Sequence, residues 1–412
     1  MPTSLGFRRI LEVLGQRNYG LFTLGNSMSL IGTWMQRIAS GWLAWTLTES
    51  AGWVGAIAFA DLFPCILIGP FAGAAADRWE RMRVMKLGQI LGFGQALLLG
   101  ILYMTGQLGI WPLFLITLFN GFVTGGLQPF RLSITPRLVT SEWLTAAIAI
   151  NSVTFNLARF VGPALAGVLI AVGGMGLTFV FNAISFIAFW MFLNLVQLYG
   201  ARTPPSGKSF LTDMVEGLKH AIFLPGVNAI ILQLVVSGIF VRPVLELLPG
   251  WAAKAFNGAS GDFAALTSAF GVGAILGGLW LAARRGAQGL TRILVWSNIA
   301  MCLVLLLFAI STAIWMALPL AMLTGATMVA AAVSGQTLTQ IIVPDHLRGR
   351  VMSVLGLVMR GSPAIGALFI GIASDHYGMR LPLMVGVAIQ LGLMLYYLVS
   401  FARFRSILED AL

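Results

Sequence analysis

The sequence predicts an all-α integral membrane protein, with twelve transmembrane helices arranged as two pseudo-symmetric six-helix bundles. Three observations carry this expectation. Of 412 residues, 58% are hydrophobic and 9% are charged, with a mean hydropathy of +0.91, whereas an ordinary soluble domain is about 25% charged. The apolar residues form unbroken runs such as Leu97–Tyr103 and Leu303–Ile310, which lack the alternation of a membrane β-barrel. The 48 glycines suit close helix packing in lipid. Crossings of about 20 residues each consume the chain and leave no separate soluble domain.

Polar and Gly/Pro interruptions place the spans at about 19–46, 52–75, 85–105, 110–132, 145–172, 176–198, 227–250, 264–283, 291–310, 314–340, 351–373 and 380–402. The longest break contains Thr203-Pro204-Pro205-Ser206-Gly207 and then a short helical-period stretch, Phe210 to Ile222. Residues 1–198 therefore read as an N-terminal bundle, 199–225 as a cytoplasmic linker and 226–412 as a C-terminal bundle. Basic residues precede span 1, but its apolar run continues through Arg37 to Thr46 with no cleavage site, so it reads as a span and not as a signal peptide.

Charge placement tests this topology. With both termini cytoplasmic, the tails and even-numbered connections hold nineteen of the 25 lysines and arginines, while the opposite side holds Lys254 and Arg380. That asymmetry orients the chain in a membrane, here expected to be the bacterial inner membrane. It also accounts for the net charge of +11 without nucleic-acid binding. Cys65 and Cys302 lie far apart in apolar stretches and suggest neither a disulfide nor a metal pair. The expected partners are the bilayer and a small-molecule substrate, and the chain is expected to act as a monomer.

An internal repeat supports two related halves. Gly162-Pro163-Ala164-Leu165-Ala166-Gly167 in span 5 recurs as Ser362-Pro363-Ala364-Ile365-Gly366-Ala367 in span 11, an offset of 200, and Arg37 and Arg242 are offset by 205.

Leaving span 2, the chain reads Gly73-Ala74-Ala75-Ala76-Asp77-Arg78-Trp79-Glu80-Arg81-Met82-Arg83. This resembles the Gly-x-x-x-Asp-Arg-x-Gly-Arg-x-Arg loop of the major facilitator superfamily, with Glu80 in place of the second glycine. The resemblance implies an interdomain latch of Gly73, Asp77, Arg78, Arg81 and Arg83, made in one conformation and broken in the other. Gly162, Pro163 and Gly167 resemble the span 5 signature of the superfamily's antiporters, and a kinked, tightly packed helix explains the same residues without export. Met35-Gln36-Arg37, Asp61-Leu62-Phe63-Pro64, Asn156-x-x-Arg159 and Pro344-Asp345-His346-Leu347-Arg348-Gly349-Arg350 are similar to the branch containing enterobactin and macrolide exporters. That similarity implies proton-coupled efflux of amphiphilic compounds, driven by an ion gradient with no cofactor.

Six ionisable residues fall inside spans and clear of their end residues: Arg37, Asp61, Arg159, Arg242, Glu246 and Arg360. Each costs roughly 2.5–3.5 kcal/mol at a helix centre unless paired or hydrated, so each marks a candidate site. On span 1, Asn26, Ser29, Thr33, Arg37 and Ser40 share one helix face, expected to line a hydrated cavity with Asn156 and Arg159 of span 5, Arg360 of span 11 and Gln336 and Gln340 of span 10. Arg37 and Asp61 both lie about 14 Å deep by helical rise and could meet, and Arg242 and Glu246 are spaced to pair. Asp61 and Glu246 are the proton-coupling candidates, Asp61 the stronger for its depth. Four arginines against two carboxylates leave a buried surplus of two positive charges, which either favours anionic or acceptor-rich solutes or serves to bond helix carbonyls and pack the domains. Trp34, Trp42 and Trp45 read as interfacial anchors.

The leading expectation is a secondary active transporter working by alternating access, a proton-coupled exporter of amphiphilic molecules such as siderophores or drugs. The alternative is a proton symporter or uniporter importing an organic anion, because fold does not fix direction. An enzyme is disfavoured. His220, His346 and His376 lie at or beyond span ends, and the chain lacks a His-Glu-x-x-His, a phosphate-binding loop and a Gly-x-Ser-x-Gly.

Overall fold

The computed structural model describes residues 12–198, 223–224, 226–284 and 288–400, without the side chains of 70, 74, 77, 156, 160, 171, 345 and 346. The described residues are nearly all helical and contain no strand. Among the described residues, eleven helices are long and apolar enough to cross a membrane. Span 1, Arg17–Thr48, has 32 residues and ample length, but it is not among the eleven. The polar residues Asn26, Ser29, Thr33, Gln36, Arg37 and Ser40 dilute its hydropathy.

The other spans are single helices except two. Span 2 consists of Ala51–Leu62 and Pro64–Arg78. Pro64 has no N–H to extend the ladder, so the helix restarts there. Span 7 runs regularly over Val227–Phe240 and then continues as the short turns Pro243–Glu246 and Leu248–Gly250 and the π turn Trp251–Ala255. Pro243 and Pro249 impose those interruptions for the same reason. Span 5 (Leu144–Gly173) and span 11 (Asp345–Tyr377) stay continuous through Pro163 and Pro363. They end at equivalent left-handed glycines, Gly174 (φ +78°) and Gly378 (φ +77°), a conformation that favours glycine.

By contacts, the chain forms two compact units: residues 1–43 with 67–208, and residues 44–66 with 209–412. The second unit thus takes in the end of span 1 and the first helix of span 2. In that unit, Ala51–Leu62 packs along span 11 at glycines. A Cβ on Gly55 would strike the Ala367 carbonyl, and one on Gly371 would lie 2.5 Å from the Ala51 oxygen. Asp375 closes the arrangement: its carboxylate accepts from the Ala51 N–H at 2.6 Å, the Gly52 N–H at 3.0 Å and the Ser50 hydroxyl at 2.5 Å. An acidic group on unsatisfied first-turn N–H groups is the favourable pairing.

Each unit is pinned by a buried trio of side-chain amides. In the first, the Gln36 amide donates to Gln95 Oε1 at 2.9 Å, and Gln95 (3.3 Å) and Asn182 (2.7 Å) both donate to Gln36 Oε1. These join spans 1, 3 and 6. In the second, Gln233 (2.9 Å) and Gln390 (3.2 Å) donate to Asn298 Oδ1, joining spans 7, 9 and 12. The same three positions of each six-helix repeat are used, at offsets of 197, 203 and 208. Where lipid and protein are equally apolar, such polar contacts and tight glycine packing hold helices together.

Candidate functional site

In the first unit, two of the arginines singled out by sequence converge on one indole. The Arg37 guanidinium lies over the Trp34 ring at 5.1 Å from the centroid, and the Arg159 guanidinium lies over the same ring at 5.7 Å. Spans 1 and 5 are positioned for this by Gly162, whose Cβ, if present, would sit 2.5 Å from Trp34 Cβ and 3.2 Å from the Ile31 carbonyl. Phe155 meets Trp34 edge-on at 6.1 Å. Trp34, Arg37 and Arg159 are all half-buried, and Phe155 is exposed. A guanidinium over an aromatic face is worth about 0.5–2 kcal/mol and holds a mobile side chain in one orientation.

The rest of the polar face of span 1 is divided. Thr33 is half-buried and donates to the Ser29 carbonyl at 2.7 Å. Asn26 (4% exposed), Ser29 (1%) and Ser40 (3%) are enclosed within the unit, and Ser29 donates to Gln89 of span 3 at 3.4 Å. Trp42 and Trp45 are 9% and 8% exposed, so they pack inside protein and are not interfacial anchors. Asn156 lies outside the described side chains.

The second unit holds Asp61, Arg242, Glu246 and Arg360, all half-buried. Arg360 donates from Nη1 to the sulfur of the half-buried Cys65 at 3.3 Å. Arg242 stands just before the short turn Pro243–Glu246, where the Leu245 N–H bonds its carbonyl at 3.0 Å. Ser362, beside Pro363, is pressed onto Gly238 of span 7, as Gly162 is pressed onto span 1. The paired Pro segments thus do the same packing work in each half. On span 10, Gln336 is half-buried, and the exposed Gln340 takes Arg348 Nε on its carbonyl at 2.8 Å.

The division of charge follows the units. The membrane stretches of the first unit, residues 19–43, 85–132 and 145–198, contain no aspartate or glutamate. Within them Arg37 and Arg159 lie deep in their spans and Lys86 and Arg131 near span ends, while the second unit carries the two carboxylates and two arginines of the buried candidates.

The loop after span 2 lies in the first unit. Arg81 donates to the Ala76 carbonyl at 3.3 Å, and Arg83 pairs with Glu80 at 2.5 Å. Glu80 has φ −71°, an ordinary value, so no glycine is required at that position. A cavity of about 450 Å³ lined by Trp79, Arg81 and Arg137 adjoins it. Gly73 is half-buried and Arg78 exposed, whereas the Asp77 side chain lies outside those described. In span 5, Gly162 and Pro163 are buried and Gly167 is half-buried.

The sequence over residues 13–410 matches the family described as transmembrane secretion effector. The chain belongs to that family of the major facilitator superfamily. Among its relatives, the staphyloferrin A transporter of Staphylococcus aureus is 25% identical, over 87% of this chain and 89% of the relative. Macrolide efflux protein A of Streptococcus pyogenes is 23% identical over 86% and 89%. A solved POT family transporter, in complex with a thioalcohol-conjugated peptide, superposes with a TM-score of 0.74 at 13% identity, over 94% and 96% of the two chains. That likeness concerns the fold. This superfamily member is a multi-pass membrane transporter of small molecules, and its relatives are transporters, not enzymes.

The sequence pointed to the buried charges and the Gly-Pro segment, but not to Trp34 as their meeting point, nor to the amide trios. The trios carry no charge and sit singly in apolar runs. Their signal was the repeat offset near 200, which Gln36, Gln95 and Asn182 share with Gln233, Asn298 and Gln390.

Proposed function

We propose that this protein is a proton-coupled exporter of amphiphilic small molecules, working by alternating access in the bacterial inner membrane as a monomer with both termini cytoplasmic. The carrying observation is the division of buried charge: an acid-free surface with Arg37 and Arg159 in one unit, and Asp61 and Glu246 in the other. The first suits an anionic or acceptor-rich solute, and the second can take up and release protons. A carboxylate couples transport to a gradient when its neighbours and hydration change between conformations, because those changes alter its proton affinity. Asp61 fills that role, Glu246 is the second carboxylate, and Asp77 with Arg78 forms the conformational latch. The likeness to macrolide efflux protein A, an efflux protein by name, supports export over import. The energy comes from the proton gradient, with no cofactor.

The test is uphill efflux from cells or vesicles carrying the full chain. A protonophore abolishes it. Asp61→Asn abolishes uphill efflux while solute still equilibrates downhill, and Glu246→Gln has the smaller effect. Normal gradient-driven efflux by Asp61→Asn would remove Asp61 from the coupling role.

A further inference from the structure

We propose that the helix Ala51–Leu62, with the end of span 1 attached to it, is the clasp of the extracytoplasmic gate. Asp375 holds it on span 11 while that side is closed, and it swings clear about Phe63 and Pro64 when that side opens. This inference rests on the alternating-access reading and on the chain orientation proposed with it.

Three features mark this helix as a moving part. First, it has a joint. Pro64 has no N–H to give the Ala60 carbonyl, and the helix ends at Leu62 and restarts at Pro64. The division of the chain into compact units falls two residues beyond Pro64, after Ile66, so the two halves of span 2 pack with different partners. Hinges are built from a few element-end residues of this kind. Second, its grip can be opened and remade. Asp375 accepts from the Ser50 hydroxyl and from the Ala51 and Gly52 N–H groups, first-turn donors that have no partner within their own helix. The carboxylate is exposed, so water can take over from each side as they part. Along the seam, Gly55 lies against the Ala367 carbonyl and Gly371 against that of Ala51, which is close approach of backbones. The amide trio of spans 7, 9 and 12 differs: its members are at most 3% exposed, so the bundle behind the clasp stays joined. Third, the sequence places matching span ends at the two faces of the membrane. Gly371-x-x-x-Asp375-His376-Tyr377-Gly378 repeats Gly73-x-x-x-Asp77-Arg78-Trp79-Glu80 at a constant offset of 298, with Gly378 where Glu80 stands. Spans 2 and 11 are each the second helix of a three-helix group, and such groups are inverted relative to one another within a superfamily half. Span 2 accordingly ends on the cytoplasmic side and span 11 on the other.

The test is the distance between spin labels at Leu47→Cys and Thr312→Cys, two exposed positions outside the grip, in the full chain in nanodiscs with Cys65→Ser and Cys302→Ala. Two distances are expected, the longer from the open gate. Asp375→Ala should raise the ratio of long to short about fivefold, and Ser50→Ala, a milder cut, about twofold. Asp375→Glu, which restores the acceptor, should recover most of the original ratio. Asn298→Ala weakens the same unit away from the grip and should leave the ratio unchanged, which separates release of the clasp from general loss of stability. The distances in the protein that retains Asp375 and Ser50 need no grip variant to fold. A single distance there, a ratio unmoved by folded Asp375→Ala or Ser50→Ala protein, or an equal shift by Asn298→Ala would each overturn the inference. Solute-driven proton movement, scored separately over a broad solute panel, separates the two readings. If it occurs while the ratio ignores Asp375, the clasp falls and the exporter stands. If the ratio follows Asp375 while no solute moves protons, the exporter reading falls and the clasp stands.

Discussion

Asn298 shows what a single atom does in this interior. Its Oδ1 accepts from both Gln233 and Gln390, and all three residues are within 3% of full burial. Removing that oxygen strands two buried donors, each costing about 1–3 kcal/mol in water-soluble proteins and less in a membrane, where the unfolded state also finds partners. Asn298→Ala should therefore lower stability by about 1–2 kcal/mol, measurable as a reduced midpoint of unfolding in detergent. A Gln89→Leu control, where the amide Nε2 already lacks a partner, should cost less. At this scale the sequence was legible where a residue violated its surroundings. Arginine or aspartate in an apolar run is conspicuous, so Arg37, Asp61, Arg159, Arg242, Glu246 and Arg360 stood out. Trp34 was not legible as a site residue, because tryptophan suits lipid, interface and core alike. Its role depends on which span packs beside it.

Helix-scale features depend on close approach. Gly162 lets span 5 reach the Trp34 Cβ, so Gly162→Leu should overpack the contact by about 1–3 kcal/mol and weaken transport more than the loss of stability alone explains, since it displaces the indole as well. Transport measured in vesicles at matched protein amounts would show this. At the start of span 2, Asp375→Ala removes an acceptor from two backbone N–H groups and the Ser50 hydroxyl. The expected cost is about 1 kcal/mol, read as faster hydrogen exchange at Ala51 and Gly52. The span positions were legible from apolar runs, yet the interruptions in spans 2 and 7 were smoothed over. Pro64, Pro243 and Pro249 marked them, but proline also sits within unbroken helices here at Pro129, Pro163, Pro319 and Pro363. Whether a proline breaks a helix or only bends it depends on whether neighbouring helices supply partners for the freed backbone groups.

Across the whole molecule, the two-half organisation was visible as a repeat near 200 residues, and the structure extends it to the amide trios and to Gly174 and Gly378. The sequence did not disclose that residues 44–66 pack with the second half, because chain order gives no sign of which neighbours a helix end finds. That division assigns Arg37 and Arg159 to one unit and both candidate carboxylates to the other, and the coupling mechanism rests on it. The most direct test uses purified full chain in vesicles holding a pH-sensitive dye, with protein-free vesicles as the control. When a transported solute is added outside and moves inward, an antiporter expels protons, so the lumen should turn alkaline, and Asp61→Asn should abolish that change. Acidification of the lumen would identify a symporter, and solute entry with no proton movement a uniporter; either result would contradict the account.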